Sequence, residues 1–218
     1  MAKPKPKTVG RLERGDHACV IYSTGEELSA IVSDYLVDGL RAGERCWYVA
    51  GDDETAAIRI ALRERGVDCK MEAQRGALKL IPAEEAYLLR GGGFEPEHTM
   101  RVFNDAIEEA LVDGFNGFRA AAEMSWALDP RAGTDRLISY EALLRSLFRS
   151  SPATGLCLYH RDSMPLQVLG AALATHPFAR LDGQFGANPL YDATATRPGD
   201  IDARRVASQL KRFEGRAG

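Results

Sequence analysis

Short apolar runs alternate with helical patterns along most of the chain. Ala18-Cys-Val-Ile-Tyr22 has the length and continuity of a buried strand. Leu28, Ile31, Val32, Tyr35, Leu36 and Leu40 then recur at helical spacing, and Gly43 marks the stop. The alternation repeats with a strand over 45–50, a helix from Asp53 to Arg65 closed by Gly66, and a strand over 77–81 stopped by Pro82. After Gly91–Gly93, Pro96 suits a first helical turn, and Met100, Phe103, Ile107, Ala110 and Leu111 supply that helix's apolar face up to Gly114. A strand over 117–124 follows, with moderate content of alanine. Leu137, Tyr140, Leu144, Leu147 and Phe148 mark a further helix, and a strand over 155–159 precedes a helix over 166–175. His176-Pro177 and Asn188-Pro189 read as turns. The pattern predicts a three-layer α/β fold with a mainly parallel central sheet flanked by helices. Ligands of such sheets sit beyond the carboxyl ends of the strands. Weight therefore falls on the residues just after Tyr22, Ala50, Ile81, Met124 and Tyr159.

Composition narrows the function classes. Of 218 residues 45% are hydrophobic, and Lys plus Arg at 28 against Asp plus Glu at 31 leaves a net charge of −3. Such a balance gives no overall pull toward nucleic acid or an anionic membrane. No apolar run reaches the ~20 residues of a membrane span, and the Lys/Pro alternation of Met1–Thr8 reads as an extended tail, not a secretion signal. Four well-separated cysteines in a chain able to build a core argue against a disulfide scaffold, so a cytoplasmic setting is expected. The organisation expected is a tail over 1–11, one domain over 12–192 and an extension over 193–218 with one amphipathic helix.

The candidate chemistry clusters near strands. Ser23-Thr24-Gly25-Glu26-Glu27 has one glycine, no lysine and the form of a capping box, so its own carboxylate takes the backbone donors a phosphate would need. His17 and Cys19 share a strand face, as do Cys157 and Tyr159, with His160 beginning the next loop. No CxxC or HxxxH pair anchors a metal, so the cysteines read first as packing residues, and no metal or cofactor is expected. Arg119, Glu123, Ser125 and Trp126 form the densest polar group near a strand. Arg119 and Glu123 face the same way, either contacting a ligand or satisfying each other. Tyr140-Glu141 reads as an apolar residue beside a solvated carboxylate. No nucleophile–base motif, zinc-protease motif or dinucleotide fingerprint is present, and no enzyme activity is expected.

Seven segments in series carry a family resemblance: Gly15-Asp-His-Ala-Cys-Val-Ile-Tyr22, Gly39–Val49, Glu123-Met-Ser-Trp126, Tyr140-Glu141, Leu156-Cys-Leu-Tyr159, His176-Pro177 and Asn188-Pro-Leu-Tyr191. Together they resemble the methanogen/methylotroph sensory (MEDS) domain, the sensor part of the dichloromethane-responsive repressor type, over about 12–191. The resemblance implies a sensory α/β domain, often joined to a helix-turn-helix or a histidine kinase, that senses small molecules such as simple hydrocarbon derivatives. It implies a sensing contribution from His17, Cys19 and Cys157. It also implies a degenerate relative of the RecA/circadian-clock ATPase fold, from which the missing lysine over 23–27 departs. The pattern predicts neither a helix-turn-helix before Gly15 nor a kinase domain after Tyr191.

The expected function is a non-enzymatic sensor. A small molecule would bind near His17, Cys19, Tyr22, Arg119, Glu123, Trp126, Tyr159 and His160, with Trp126 and Tyr159 as apolar walls. Its state would pass to a partner regulator of the histidine kinase, anti-sigma or repressor type. Val206, Leu210 and Phe213 line one face of the C-terminal helix, offered either to the domain itself or to a partner or second copy. Two alternatives stand beside this reading: a degenerate RecA-like nucleotide binder, and a constitutive protein-interaction module.

Overall fold

A computed structural model describes residues 12–88, 93–132, 134–181, 184–195 and 206–208. The predicted strands are β1 (His17–Tyr22), β2 (Arg45–Ala50), β3 (Leu78–Pro82), β4 (Phe118–Glu123) and β5 (Ala153–His160), and two more follow, β6 (Phe178–Leu181) and β7 (Gln184–Ala187). They form one sheet in the order β3-β2-β4-β5-β1-β6-β7, parallel throughout except where β7 runs back against β6. That hairpin lies where the sequence suggested only flanking turns. Four-residue strands are too short to show a period, so the pattern missed them.

Helices α1 (Gly25–Arg41) and α2 (Asp52–Glu64) cover one face of the sheet. Their buried side chains, including Val32, Leu36, Ile58 and Leu62, pack with Val20, Tyr48, Ala121 and Leu158. Short α3 (Cys69–Gln74) and α4 (Ala83–Tyr87) flank β3, and the sequence pattern did not announce either. Helices α5 (Pro96–Val112), α6 (Thr134–Ser150) and α7 (Leu166–Thr175) belong to the opposite layer. Phe103, Ile107, Tyr140, Leu144, Phe148 and Leu169 pack there against Cys19, Val49, Ala120, Ala122 and Cys157. Strands β1, β2, β4 and β5 are thus buried on both sides, and even polar Arg45, Arg119 and Glu123 are covered.

The turn after β1 folds as the sequence required. Thr24 caps α1 by accepting the Glu27 amide at 3.1 Å, and the Glu27 carboxylate accepts the Ser23 amide at 3.0 Å. Gly43 follows α1 at φ 71°, a left-handed conformation suited to glycine. Val206 is buried in the core on the α5–α7 side, so the structure turns it toward the chain's own domain, not toward a partner. Leu210 and Phe213 lie outside the described residues, as do Gly91 and Gly92. No described helix is long and apolar enough to cross a membrane.

Candidate functional site

Strand β1 presents His17 and Cys19 to the α5–α7 layer, and β5 presents Cys157 and Tyr159 to it. Helix α6 lowers Glu141 onto them. Leu137, Glu141, Leu144 and Phe148 follow an i, i+4, i+7, i+11 stripe, which places the carboxylate on the buried face. His176 ends α7 and reaches the same place from the other side. Four potential donor atoms, one each from His17, Glu141, Cys157 and His176, lie within 4.8 Å of one another. Glu141 Oε2 stands 3.3 Å from His176 Nε2, 3.7 Å from His17 Nε2 and 4.0 Å from Cys157 Sγ. His17 Nε2 stands 3.4 Å from Cys157 Sγ.

The surroundings fix the orientations. Tyr159 donates to Glu141 Oε1 at 2.6 Å, which leaves Oε2 facing the histidines. His176 Nδ1 donates to the Ala172 carbonyl at 2.7 Å, which sets the tautomer and aims an Nε2 lone pair at the carboxylate. The Asn188 amide holds the backbone around that histidine, donating to the carbonyls of Leu173 at 2.6 Å and His176 at 2.9 Å. Phe148 packs against the His17 ring, with centroids 5.0 Å apart. Among the described residues, His17 Nδ1 and His176 Nε2 are buried without a hydrogen-bond partner.

Burial dominates the electrostatics. It pushes the Glu141 carboxyl up to about 8, against the opposing Tyr159 hydrogen bond. It lowers His176 to about 3 and lowers His17 well below the ordinary histidine value, with His176 itself adding to the second shift. The Cys157 thiol is raised by burial and then by Glu141. Each group resists charge while nothing neutralises it.

Beside this polar centre lies an aromatic set. Trp126, on a 3-10 turn (Met124–Leu128) after β4, stacks on Tyr87 at 4.1 Å and 11°. Phe94 tilts against Trp126 at 4.6 Å and meets Tyr140 edge-on at 5.1 Å. Trp126 Nε1 and the Tyr140 hydroxyl are buried without a hydrogen-bond partner among the described residues. Burial raises the Tyr87 and Tyr140 hydroxyls; their interaction with each other adds to the shift of Tyr140 and opposes that of Tyr87, and Glu141 and Cys157 raise both. The two groups therefore adjoin, and consecutive residues Tyr140 and Glu141 of α6 belong one to each.

The eight residues singled out from the sequence divide among three places. His17, Cys19, Tyr159 and Trp126 lie on the α5–α7 side. Tyr22, Glu123 and His160 meet at the carboxyl ends of the strands: Tyr22 donates to Glu123 Oε1 at 2.9 Å, and His160 stands edge-on to Tyr22 at 5.1 Å. Ser125 completes that group, donating to Glu123 Oε2 through its amide at 2.9 Å and its hydroxyl at 2.5 Å. Arg119 belongs to neither. It bonds Glu44 at 2.5 Å and lies over the Tyr35 ring, its Cζ atom 4.6 Å from the centroid. Arg119 and Glu123 share a face as expected but do not satisfy each other, because four steps along the strand separate them by about 13 Å. A single site containing all eight residues is thereby corrected, and so is the solvated reading of Glu141, which is fully buried. Glu141 and His176 are the functional candidates the sequence reading missed. The stripe position of Glu141 was the available signal.

The fold has known counterparts. A KaiC-like protein from the hyperthermophilic archaeon Pyrococcus horikoshii OT3 superposes with a TM-score of 0.55 at 12% identity, over 76% of this chain and 71% of that one. The likeness is one of fold, consistent with the RecA-type architecture. No curated protein matches the chain. The sequence description of the methanogen/methylotroph, DcmR sensory domain matches residues 16–177, which take in β1 with His17, the Tyr140-Glu141 pair, Cys157 and His176, and the chain belongs to that MEDS family.

Proposed function

We propose that this sensory domain binds a small, mainly apolar molecule carrying one hydrogen-bonding group, and passes its bound state to a partner signalling protein without catalysing a reaction. The observation that carries this reading is the pair Trp126 Nε1 and Tyr140 Oη, both buried without a hydrogen-bond partner among the described residues, within an aromatic set of Tyr87, Phe94, Trp126 and Tyr140. Buried donors without partners are costly, on the order of 1–3 kcal/mol each. A ligand that accepts from the indole or the phenol removes that cost, while the rings supply apolar walls. Family membership supports sensing in general. Relay runs through α6, which carries Tyr140 inward and exposes Leu143 on its outer side. The nucleotide reading is disfavoured by the turn after β1, where Thr24 and Glu27 occupy backbone donors and Glu26 and Glu27 place negative charge.

The test is a panel of short-chain alcohols, halocarbons and carboxylates, read by tryptophan fluorescence in a Trp47→Phe background and by thermal shift. At least one compound should shift both signals, and Tyr140→Phe should weaken that response without abolishing the fold. A panel with no response, alongside a response to ATP, would overturn the reading in favour of nucleotide binding.

A further inference from the structure

The polar centre gathers four donor atoms at loose spacings, close to those around a coordinated ion. His17 Nε2 and Cys157 Sγ stand at hydrogen-bond distance, 3.4 Å, but Glu141 Oε2 stands 3.3 and 3.7 Å from the two imidazole nitrogens and 4.0 Å from the sulfur, which is long for its bonds, and all four atoms lie within 4.8 Å of one another. A tetrahedral ion with N and O ligands at about 2.1 Å and S at about 2.3 Å has edges of about 3.4 Å, lengthening to about 3.6 Å toward sulfur. We propose that His17 Nε2, Glu141 Oε2, Cys157 Sγ and His176 Nε2 bind one divalent transition-metal ion, zinc fitting best, four-coordinate between the sheet and helices α6 and α7. This inference stands apart from the small-molecule reading and does not depend on it.

Three further observations support it. The donor set is chemically matched: two imidazoles, one thiolate and one carboxylate suit a borderline-soft ion, whereas calcium and magnesium take sets of oxygens. The charge closes, because a divalent ion with one thiolate and one carboxylate is neutral overall. Neutrality matters in a place where Glu141 and His176 are 0% exposed, His17 1% and Cys157 3%. For two of the ligands the outer partners are also those of a metal centre. Tyr159 holds the non-coordinating carboxylate oxygen and Ala172 the far nitrogen of His176, so the remaining atoms of both face inward. The burial closes the site on all sides, which is the arrangement of a structural ion and not of one that holds a reacting water.

Metal entry into so covered a site accompanies folding, so the full chain is refolded from denaturant with cobalt(II) as the spectroscopic probe. The expected result is one cobalt per chain, with the intense visible bands of a tetrahedral ion and a thiolate-to-cobalt charge-transfer band. Cys157→Ser should remove the charge-transfer band, and Cys69→Ser, which alters the half-buried thiol elsewhere, should leave it intact. Glu141→Gln should weaken binding by at least about tenfold. Circular dichroism checks that each variant folds, and the wild-type spectrum decides the matter even if one does not. A refolded wild-type chain without these bands, or a charge-transfer band that survives Cys157→Ser, would overturn the proposal.

Discussion

Replacing Arg119 by methionine separates a structural ion pair from a ligand contact. The guanidinium is 8% exposed and the Glu44 carboxylate 5%, and the two approach to 2.5 Å. At an effective dielectric near 20, charges about 4 Å apart attract by about 4 kcal/mol. Much of that attraction offsets the cost of desolvating both groups, so the pair itself adds little. Removing one partner is different, since Glu44 would stay buried and uncompensated at a cost of roughly 3–5 kcal/mol. Arg14, 3.9 Å from the other Glu44 oxygen and half exposed, softens this toward the lower end. The cation over Tyr35 contributes in the opposite direction, adding about 1 kcal/mol to the loss. Arg119→Met should therefore destabilise by about 3–4 kcal/mol in a denaturant titration. The double variant with Glu44→Gln should recover part of that loss, because no charge is then stranded. Small-molecule response and cobalt binding should persist at temperatures where the variant is folded, since Arg119 lies on the α1–α2 side of the sheet. A loss below about 1 kcal/mol together with loss of small-molecule response would refute this reasoning and return Arg119 to the ligand site.

Two other outcomes follow from the packing and the titration of buried groups. A Cβ at Gly155 would collide with the Phe148 ring, which itself packs on His17, so Gly155→Ala should cost about 1–3 kcal/mol by overpacking; an unchanged urea midpoint would show that the ring has room to move. Burial raises the Glu123 carboxyl above its ordinary value of 4.5, although its bonds from Ser125 and Tyr22 oppose the shift. A raised folded value means that the native state holds its proton longer than the unfolded chain does. Its contribution to stability is thus full below the ordinary carboxylate range and falls as pH rises through the folded value. Relative to Glu123→Gln, the wild type should lose melting temperature as pH climbs from strongly acid toward neutral, and parallel melting curves would contradict the assignment.

The fold was legible in its parallel core and less so at its margins. Strands β1, β2, β4 and β5 are long enough, and buried enough on both faces, to leave continuous apolar runs, and Arg45–Ala50 matches its predicted span. Short α3 and α4 and the β6–β7 hairpin lack the length to display a period. At the site, two-residue periodicity correctly put Cys157 and Tyr159 on one face, and both meet Glu141. Periodicity says nothing about distance along a strand, which is why Arg119 and Glu123 looked like partners and are not. Nor does local spacing reveal a donor set drawn from positions 17, 141, 157 and 176, on two strands, one helix and the turn after another, that only the closed fold brings together. His176 looked like a turn residue because Pro177 follows it. In the structure that same turn, clamped by Asn188, is what holds the imidazole in place.

The distribution of unsatisfied polarity supports placing both proposed sites on the α5–α7 side. At the carboxyl ends of the strands, Glu123 is answered by Tyr22 and Ser125, and the turn after β1 by its own capping residues, although the Tyr48 hydroxyl on that face is buried without a partner among the described residues. On the α5–α7 side, His17 Nδ1, His176 Nε2, Trp126 Nε1 and the Tyr140 hydroxyl are buried without partners among the described residues. Hydrophobic side chains could fill the same space without that cost, so the polar groups point to occupants that satisfy some of them. An ion at His176 and a hydrogen-bonding ligand at Trp126 and Tyr140 do so separately. They would also be coupled, because Glu141 and Tyr140 are neighbours on one rigid helix. An ion that fixes Glu141 fixes the helix that carries Tyr140 into the aromatic set, and lowers the ordering cost of binding there. Removing the metal should then weaken the small-molecule response even though none of the metal donors touches that ligand, whereas two independent sites would leave it unchanged.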